Sequence, residues 1–256
     1  MKILINLVVY NRKNITELVI KNINKYKKDA DMIIYNDHST EYDNEYLESI
    51  CDNKIVLLPP SNKVVIKNEK NIKGMGISHL RWYQFREFLQ TDYDFLYLTD
   101  SDALHDPEFI DVLKNTWNKY KGKNGEKYPI CLYDTLWHSQ KENLLKEGND
   151  VWMRRTMAGI SQFYSRDMVK IIVDALDKET RDIGYAWDYR CIEYLKLPTL
   201  TTKCSYVEHF GALKDSMHSV EGEWDRDRAK NPSQYLKNIR QEVIDYLEGT
   251  GKYPNI

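Results

Sequence analysis

The sequence predicts an α/β fold built on a mainly parallel, Rossmann-like sheet with helices on both faces. The first observation is a set of short apolar runs of strand length, such as the run at 3–10. The second is that segments with helical spacing of apolar residues alternate with these runs through the first half of the chain. Strands buried on both faces read as continuous apolar runs, so this alternation is typical of a parallel sheet covered by helices.

Strands and helices are predicted in regular order through the first half. The strand at 3–10 precedes a helix over 14–26, for which Asn14 is a possible cap. The next segments are predicted as a strand at 31–37, a helix at 44–50, a strand at 53–59, a helix at 76–90 and a strand at 94–98. This order is that of repeated β-α units.

The second half is less regular. A helix over 107–120 is opened by Asp106 and Pro107, and 139–150 is a polar stretch predicted as a loop or a short helix. Further segments are predicted as a strand at 128–134, helices at 166–176 and 186–195, and a β-rich run at 199–211. The tail, 231–248, starts with an Asn-Pro helix signal and carries apolar residues on one face, so we expect it to pack back on the rest of the chain.

Composition narrows the class of protein. The 256 residues include 37 Lys and Arg against 39 Asp and Glu, so no bulk charge favours nucleic acid or an anionic membrane. The four cysteines have no C-x-x-C spacing, which argues against a zinc site and a disulfide framework. The N-terminus lacks a leader pattern, and no run of about 18 apolar residues occurs. We expect a cytoplasmic protein with one domain and a C-terminal helical extension.

Polar residues follow three of the predicted strands, at 10–12, 36–39 and 99–102. Ligands of open parallel sheets bind beyond the carboxyl ends of the strands, so these groups should share one crevice. The third group contains Asp100 and Asp102, a D-x-D pair whose mutual repulsion a divalent cation would reverse. Mg²⁺ and Mn²⁺ prefer oxygen ligands and are often shared with phosphates. The alternative is that both acids only form a turn before Pro107, with Asp106 as the cap of the next helix.

The chain resembles GT-A glycosyltransferases, most closely the inverting family 2, over about its first 110 residues. The resemblance depends on the order and spacing of "LVVYNRKN", "IIYNDHSTEYD", "GMGISHLRWYQF" and "FLYLTDSDALHDPEF". It implies a nucleotide-sugar-binding half at 1–110, an acceptor-binding half at 111–220 and an extension at 221–256. Asn36 and His38 stand where the family usually has Asp and Gly, which leaves the turn geometry and the choice of base open.

The resemblance also implies roles for individual residues. Asp37 would accept a hydrogen bond from the nucleotide base, Asp100 would lie near the ribose or the metal, and Asp102 would bind the metal directly. The implied donor-binding residues are Val9, Tyr10, Asn11, Arg12, Asp37, Gly74, Asp100 and Ser101. Gly74 belongs to "GMG" before a helix, where a close approach to phosphate is favourable.

An inverting transfer also needs a base for the acceptor hydroxyl. Asp188 begins a predicted helix at the place where inverting relatives carry an acid, with Asp182 as the fallback. Its alternative role is a helix N-terminal cap. His209 is the candidate third metal ligand, although a lone histidine is more often a hydrogen-bonded strand residue. His218 is a candidate for binding phosphate or ordering a lid.

The acceptor half carries weaker signals. Aromatic rings suit the apolar faces of sugars, and the candidates are Trp137, Trp152, Tyr164, Tyr185 and Trp187, although core packing is the commoner role. Arg154 and Arg155 could neutralise an acidic acceptor or be a solvated pair.

The sequence thus predicts a glycosyltransferase that uses a nucleoside-diphosphate sugar, UDP-sugar being favoured, together with Mn²⁺ or Mg²⁺. Its acceptor would be a hydroxyl of a glycan or another molecule, and the transfer would proceed with inversion. The alternatives are a retaining transferase, a nucleotidylyltransferase, or a non-catalytic nucleotide- or glycan-binding module. No lysine-containing, glycine-rich loop follows the first strand, which disfavours nucleotidyl transfer.

Overall fold

A computed structural model describes residues 1–58, 77–136, 138–178, 187–211 and 228–256. Within these ranges there are seven α-helices: α1 (Lys13–Tyr26), α2 (Asn44–Ile50), α3 (Ile77–Leu89), α4 (Phe109–Lys119), α5 (Arg166–Leu176), α6 (Trp187–Leu195) and α7 (Gln234–Leu247). A short 3-10 helix spans Lys141–Asn143. The described strands of the first half are β1 (Ile3–Val9), β2 (Asp31–Asn36), β3 (Lys54–Leu57), β4 (Phe95–Asp100) and β5 (Ala103–His105). Those of the second half are β6 (Ile130–Cys131), β7 (Leu144–Glu147), β8 (Val151–Arg154), β9 (Ser161–Ser165), β10 (Thr199–Thr202) and β11 (Val207–His209).

Nine strands form one sheet in the order β3-β2-β1-β4-β9-β6-β10-β8-β7. The pairings among β1 to β4 are parallel, as the alternating pattern predicts. Beyond β4 the sheet is mixed, because β9 lies antiparallel to both β4 and β6, and β8 lies antiparallel to both β10 and β7. The predicted α/β fold class, with a large central sheet flanked by helices, is confirmed.

The core lies on both sides of the first parallel strands. Every residue of β1 is buried, including the polar Asn6, and β4 is buried up to Thr99. Helices α3, α5 and α6 pack against one another, while α1 packs against β5. All four cysteine thiols are free, and those of Cys131 and Cys191 are buried.

The C-terminal helix packs back on the rest of the chain, as predicted. Ser233 caps α7 and its hydroxyl lies 2.5 Å from Asp106 Oδ2. Arg240 pairs with the buried Glu208 of β11, with a distance of 2.8 Å between Nε and Oε2. These contacts connect α7 to the segments that precede α4 and follow β10.

Three local predictions need correction. Helix α1 begins at Lys13, so Asn14 lies inside it, and Arg12 occupies the cap position in a left-handed conformation. The polar stretch at 139–150 contains an edge strand, β7, besides its short 3-10 helix. Glu108, and not Asp106, occupies the N-terminal cap position of α4. Asp106 accepts a hydrogen bond from the Glu108 backbone N–H (2.8 Å).

No helix in the described parts of the chain is both long and apolar enough to cross a membrane.

Candidate active site at the carboxyl edge of the sheet

The parallel register brings the polar ends of β1, β2 and β4 to the same edge of the sheet. Val9 pairs with Asn36 across β1 and β2, and Val8 pairs with Asp100 across β1 and β4. Asp37 continues this edge, because its backbone N–H donates to the Val9 carbonyl (2.9 Å). The polar groups that follow β2 and β4 therefore lie directly beside the group that follows β1.

The turn after β1 is held in an unusual conformation. Asn11 and Arg12 both have positive φ angles, of 50° and 56°, which non-glycine residues adopt rarely. Hydrogen bonds to the loop after β2 stabilise this turn. The Asn11 N–H donates to Ser39 Oγ (3.0 Å), and the Asn11 side-chain oxygen accepts from the Thr40 N–H (2.7 Å). The side chain of Val9, one of the predicted donor-binding residues, is buried in the core.

The loop after β2 forms a tight turn although His38 stands where the family that the sequence resembles usually has glycine. His38 adopts φ 59°, so this position does require the left-handed region. Asn36 stabilises the turn, because its side-chain oxygen accepts from the Ser39 N–H (3.0 Å) and its amide donates to Asn44 (2.8 Å). Asp37 is 7% exposed at this turn. Burial and the charge of Asp37 together raise the pKa of the nearby Tyr10.

A two-stranded antiparallel ribbon, made of β5 and β11, brings together Asp102 and His209. His209 pairs with Ala103, and the Phe210 N–H donates to the Asp102 carbonyl (2.8 Å). His209 Nε2 therefore lies 3.2 Å from Asp102 Oδ1. Arg12 contributes from the other side, because its Nη1 donates to Asp102 Oδ2 (2.8 Å) and its Nη2 donates to the Phe210 carbonyl (3.1 Å).

This arrangement fits a divalent ion that takes two ligands from the protein. Asp102 Oδ1 is buried and lies 3.2 Å from His209 Nε2, so an acceptor oxygen and the imidazole face one another. Gly211 leaves this space open, since a Cβ at that position would lie 2.2 Å from His209 Nε2 and 2.9 Å from Asp102 Oδ2. The described ranges contain no cluster of three or more His, Cys, Asp or Glu side chains suited to a metal. Diphosphate oxygens and water would have to complete the coordination.

The two acids of the D-x-D pair have different electrostatic surroundings. Burial alone would raise the pKa of Asp102, but the adjacent His209 and Arg12 outweigh it and hold the pKa well below its ordinary value. For Asp100, burial prevails and raises the pKa, although Arg81 acts in the opposite direction. Asp100 Oδ1 pairs with the Arg81 guanidinium.

Asp188, the predicted base, lies in the first turn of α6 and is partly buried. Burial raises its pKa, and the Tyr189 N–H and the charge of Arg81 partly offset that effect. A raised pKa makes the conjugate carboxylate a stronger base. The neighbouring Trp187 places its ring 4.9 Å from the Arg81 guanidinium carbon, so a single arginine contacts both Asp100 and the start of α6.

Sequence reasoning missed Arg81 and Gly211. The only signal for Arg81 was a charged residue between the apolar Leu80 and Trp82 in the helix predicted at 76–90. For Gly211 there was no local signal, because its role depends on the space beside the His209 and Asp102 side chains, and Asp102 comes from a distant part of the chain.

Several predicted acceptor residues have other surroundings. Tyr164 is fully buried and its hydroxyl donates to Gln162, so its ring is part of the core. Lys203 covers the Trp152 ring at 4.4 Å. Arg154 is buried and forms an ion pair with Asp134, with 3.2 Å between its Nη2 and Oδ2, which excludes a solvated pair with Arg155. Other candidates lie outside the described residues: Gly74, Trp137, Asp182, Tyr185 and His218.

Solved structures share this fold. S. aureus TarS (residues 1–349) is 17% identical, with a TM-score of 0.51, over 83% of this chain and 61% of that one. The mannosyltransferase PcManGT from Pyrobaculum calidifontis, solved in complex with GDP-Man and Mn²⁺, is 13% identical, with a TM-score of 0.52, over 78% of this chain and 54% of that one. The present chain thus spans less than two thirds of the length of each. At these identities the similarity shows the fold, and it agrees with the predicted GT-A type.

No protein-family model matches the sequence, and no curated protein matches it either.

Proposed function

We propose that this protein is a metal-dependent glycosyltransferase that moves a sugar from a nucleoside-diphosphate sugar to an acceptor hydroxyl, with inversion. The observation that carries the proposal is the meeting of Asp102, His209 and Arg12, together with the position of Asp37 beside the carboxyl end of β1. The GDP-Man and Mn²⁺ bound by PcManGT support the same substrate class. We also propose a single domain, in which residues 1–110 bind the donor and residues 111–220 bind the acceptor.

In this proposal the protein first holds the donor. Asp37 accepts a hydrogen bond from the base, while the turn at Asn11 and Arg12 approaches the diphosphate at the start of α1, where the helix dipole favours negative charge. Asp102 and His209 would hold Mn²⁺ or Mg²⁺, which would supply Lewis acidity for the departing diphosphate. Arg12 adds a second positive charge at the same place.

Asp188 then accepts the proton of the acceptor hydroxyl. The acceptor oxygen forms a bond to the anomeric carbon, and the bond from that carbon to the diphosphate oxygen breaks. The nucleoside diphosphate leaves with the electron pair, and attack from the opposite side inverts the configuration. Burial of the Asp188 carboxylate, which raises its pKa, suits this role.

A nucleotide-sugar panel tests the proposal. UDP-, GDP- and dTDP-sugars are added with and without Mn²⁺, and thermal stabilisation is measured together with release of nucleoside diphosphate. At about 100 times Kd a ligand adds roughly 2.7 kcal/mol of stability, so the correct donor should be distinct. Sugar transfer releases nucleoside diphosphate, nucleotidyl transfer releases pyrophosphate, and a binding module releases neither. Stabilisation that is unchanged by chelation would remove the metal from the proposal.

Asp188→Asn provides the second test. It should reduce turnover by about 10² to 10⁴-fold, the range typical of a lost general base, while donor-induced thermal stabilisation stays at the wild-type level. Asp174→Asn, a change on α5, is the control and should leave turnover unchanged. Near-native transfer by Asp188→Asn would refute the base assignment.

A further inference from the structure

Arg81 is the largest side chain that is fully buried in the described residues. Transfer of a guanidinium from water into a protein interior is costly unless a charge and hydrogen bonds compensate it. Arg81 forms an ion pair with Asp100 at the end of β4, and its Nη1 donates a hydrogen bond to Gln84 Oε1 (2.8 Å). Such a residue in the interior, beside a candidate donor site, suggests more than a packing role.

The guanidinium also contacts the element that carries the candidate base. Its central carbon lies 4.9 Å from the centre of the Trp187 ring, at the first residue of α6. Gly159 lies close to the same ring, since a Cβ there would be 3.2 Å from Trp187 Cζ2 and 3.6 Å from Asp188 Oδ2. Arg81 and Gly159 therefore both limit where α6 can begin, and with it the Asp188 carboxylate.

Arginine is suited to this double contact in a way that lysine is not. A planar guanidinium can pair with a carboxylate at its edge while its face lies over an indole ring. Lysine offers a point charge that can satisfy Asp100 but has no planar face for Trp187. The geometry thus joins three elements, α3, β4 and α6, through one side chain.

We propose that Arg81 is a positioning residue that fixes Asp100 and, through Trp187, Asp188 relative to one another. This inference rests on the proposed function, in which Asp100 belongs to the donor site and Asp188 to the acceptor side. It predicts two separable effects of Arg81, one exerted through Asp100 and one through Trp187. Misplacement of a reacting group by about 1 Å can lower a rate by about 10²-fold, so the second effect should be measurable.

The test removes the first effect before measuring the second. Asp100→Asn is compared with the double variant Asp100→Asn/Arg81→Met, so that no unpaired Asp100 charge remains in either protein. We expect the double variant to transfer sugar in a single turnover at least about tenfold more slowly than Asp100→Asn, with equal thermal stabilisation by the donor nucleotide in both. If Arg81 acted only on donor binding, its removal would change the thermal stabilisation by the nucleotide together with the single-turnover rate.

Trp187→Leu and Arg81→Lys extend the test to proteins that retain Asp100 and a cation. Both should bind the donor as the wild type does and lose turnover, because Trp187→Leu removes the indole ring and Arg81→Lys removes the planar guanidinium that contacts it. Asp100→Asn leaves the buried Arg81 guanidinium without its partner charge. If either this variant or the double variant does not unfold cooperatively, Trp187→Leu decides the matter alone.

Equal single-turnover rates for Asp100→Asn and the double variant would overturn the inference, and so would unchanged turnover in Trp187→Leu. A wild-type protein that consumes no nucleotide sugar would overturn the proposed function instead. The two failures are therefore distinguishable.

Discussion

At the scale of single residues, Gly211 is needed for the space that it leaves to its neighbours and not for its backbone conformation. A side chain here would overlap His209 and crowd Asp102 Oδ2, and both of these groups are held in place by the β5-β11 ribbon. The absence of a Cβ therefore keeps the space beside the candidate metal ligands accessible. Substitution should affect the site more than the fold.

Gly211→Ala should weaken Mn²⁺ binding and turnover by about tenfold or more, because His209 must move and a ligand at a metal site tolerates little displacement. Isothermal titration with Mn²⁺ in the presence of the donor nucleotide measures the first effect. Gly249→Ala is the control, since no atom lies within 4 Å of a Cβ at that position. It should lose only some stability, as its φ is 76°. Unchanged Mn²⁺ affinity in Gly211→Ala would contradict the steric argument.

At the scale of elements, Asn22 supports the ribbon that carries the site. Its amide donates to the His105 carbonyl (3.0 Å), and its side-chain oxygen accepts from the His105 N–H (2.8 Å). One side chain of α1 thus pairs with the free edge of β5 as a neighbouring strand would. The other edge of β5 pairs with β11, so Asn22 helps to determine where Asp102 and His209 lie relative to α1.

Asn22→Leu should lower the free energy of unfolding by about 2 to 5 kcal/mol, because two buried backbone groups lose their partners. Urea denaturation followed by circular dichroism measures the change. Asn14→Ala, an exposed position on the same helix, is the matched control and should stay within about 0.5 kcal/mol of wild type. A loss below about 1 kcal/mol in Asn22→Leu would show that the ribbon does not depend on this contact.

At the scale of the whole molecule, the buried His105 makes the folded state sensitive to acid. Its Nε2 lies 3.0 Å from the Tyr97 hydroxyl, and burial lowers its pKa from 6.5 to about 3. In the unfolded chain the imidazole takes up a proton near pH 6.5, whereas the folded protein holds it neutral. The unfolded state therefore binds more protons between these values, and stability falls as the pH falls through this window.

His105→Gln removes this titration while keeping a polar group. Between pH 6.5 and about 3, the wild-type unfolding free energy should decline more steeply than that of the variant, by up to about 1.4 kcal/mol per pH unit. Chemical denaturation at a series of pH values measures both slopes. Parallel slopes would mean that His105 is not the group responsible.

Much of the first half was predictable because its signals are local. Continuous apolar runs predicted β1 to β4, and their parallel order placed Asp37 and Asp102 at one edge of the sheet. The second half was harder, since β6 has two residues and β7 is exposed throughout, so neither has a strong period. The antiparallel placement of β9 between β4 and β6 depends on pairings between distant segments.

Local patterns were sufficient to predict the strand and helix order of the first half and the acids at the strand ends, because hydrophobic period and residue type act over short distances. Which of these groups meet depends on the packing of distant elements. The β5-β11 register puts His209 against Asp102, the turn at Arg12 adds a guanidinium to the same carboxylate, and α3 brings Arg81 to Asp100. These pairings join residues far apart in the chain. They depend on burial and on backbone hydrogen bonds between elements, so local sequence patterns do not predict them.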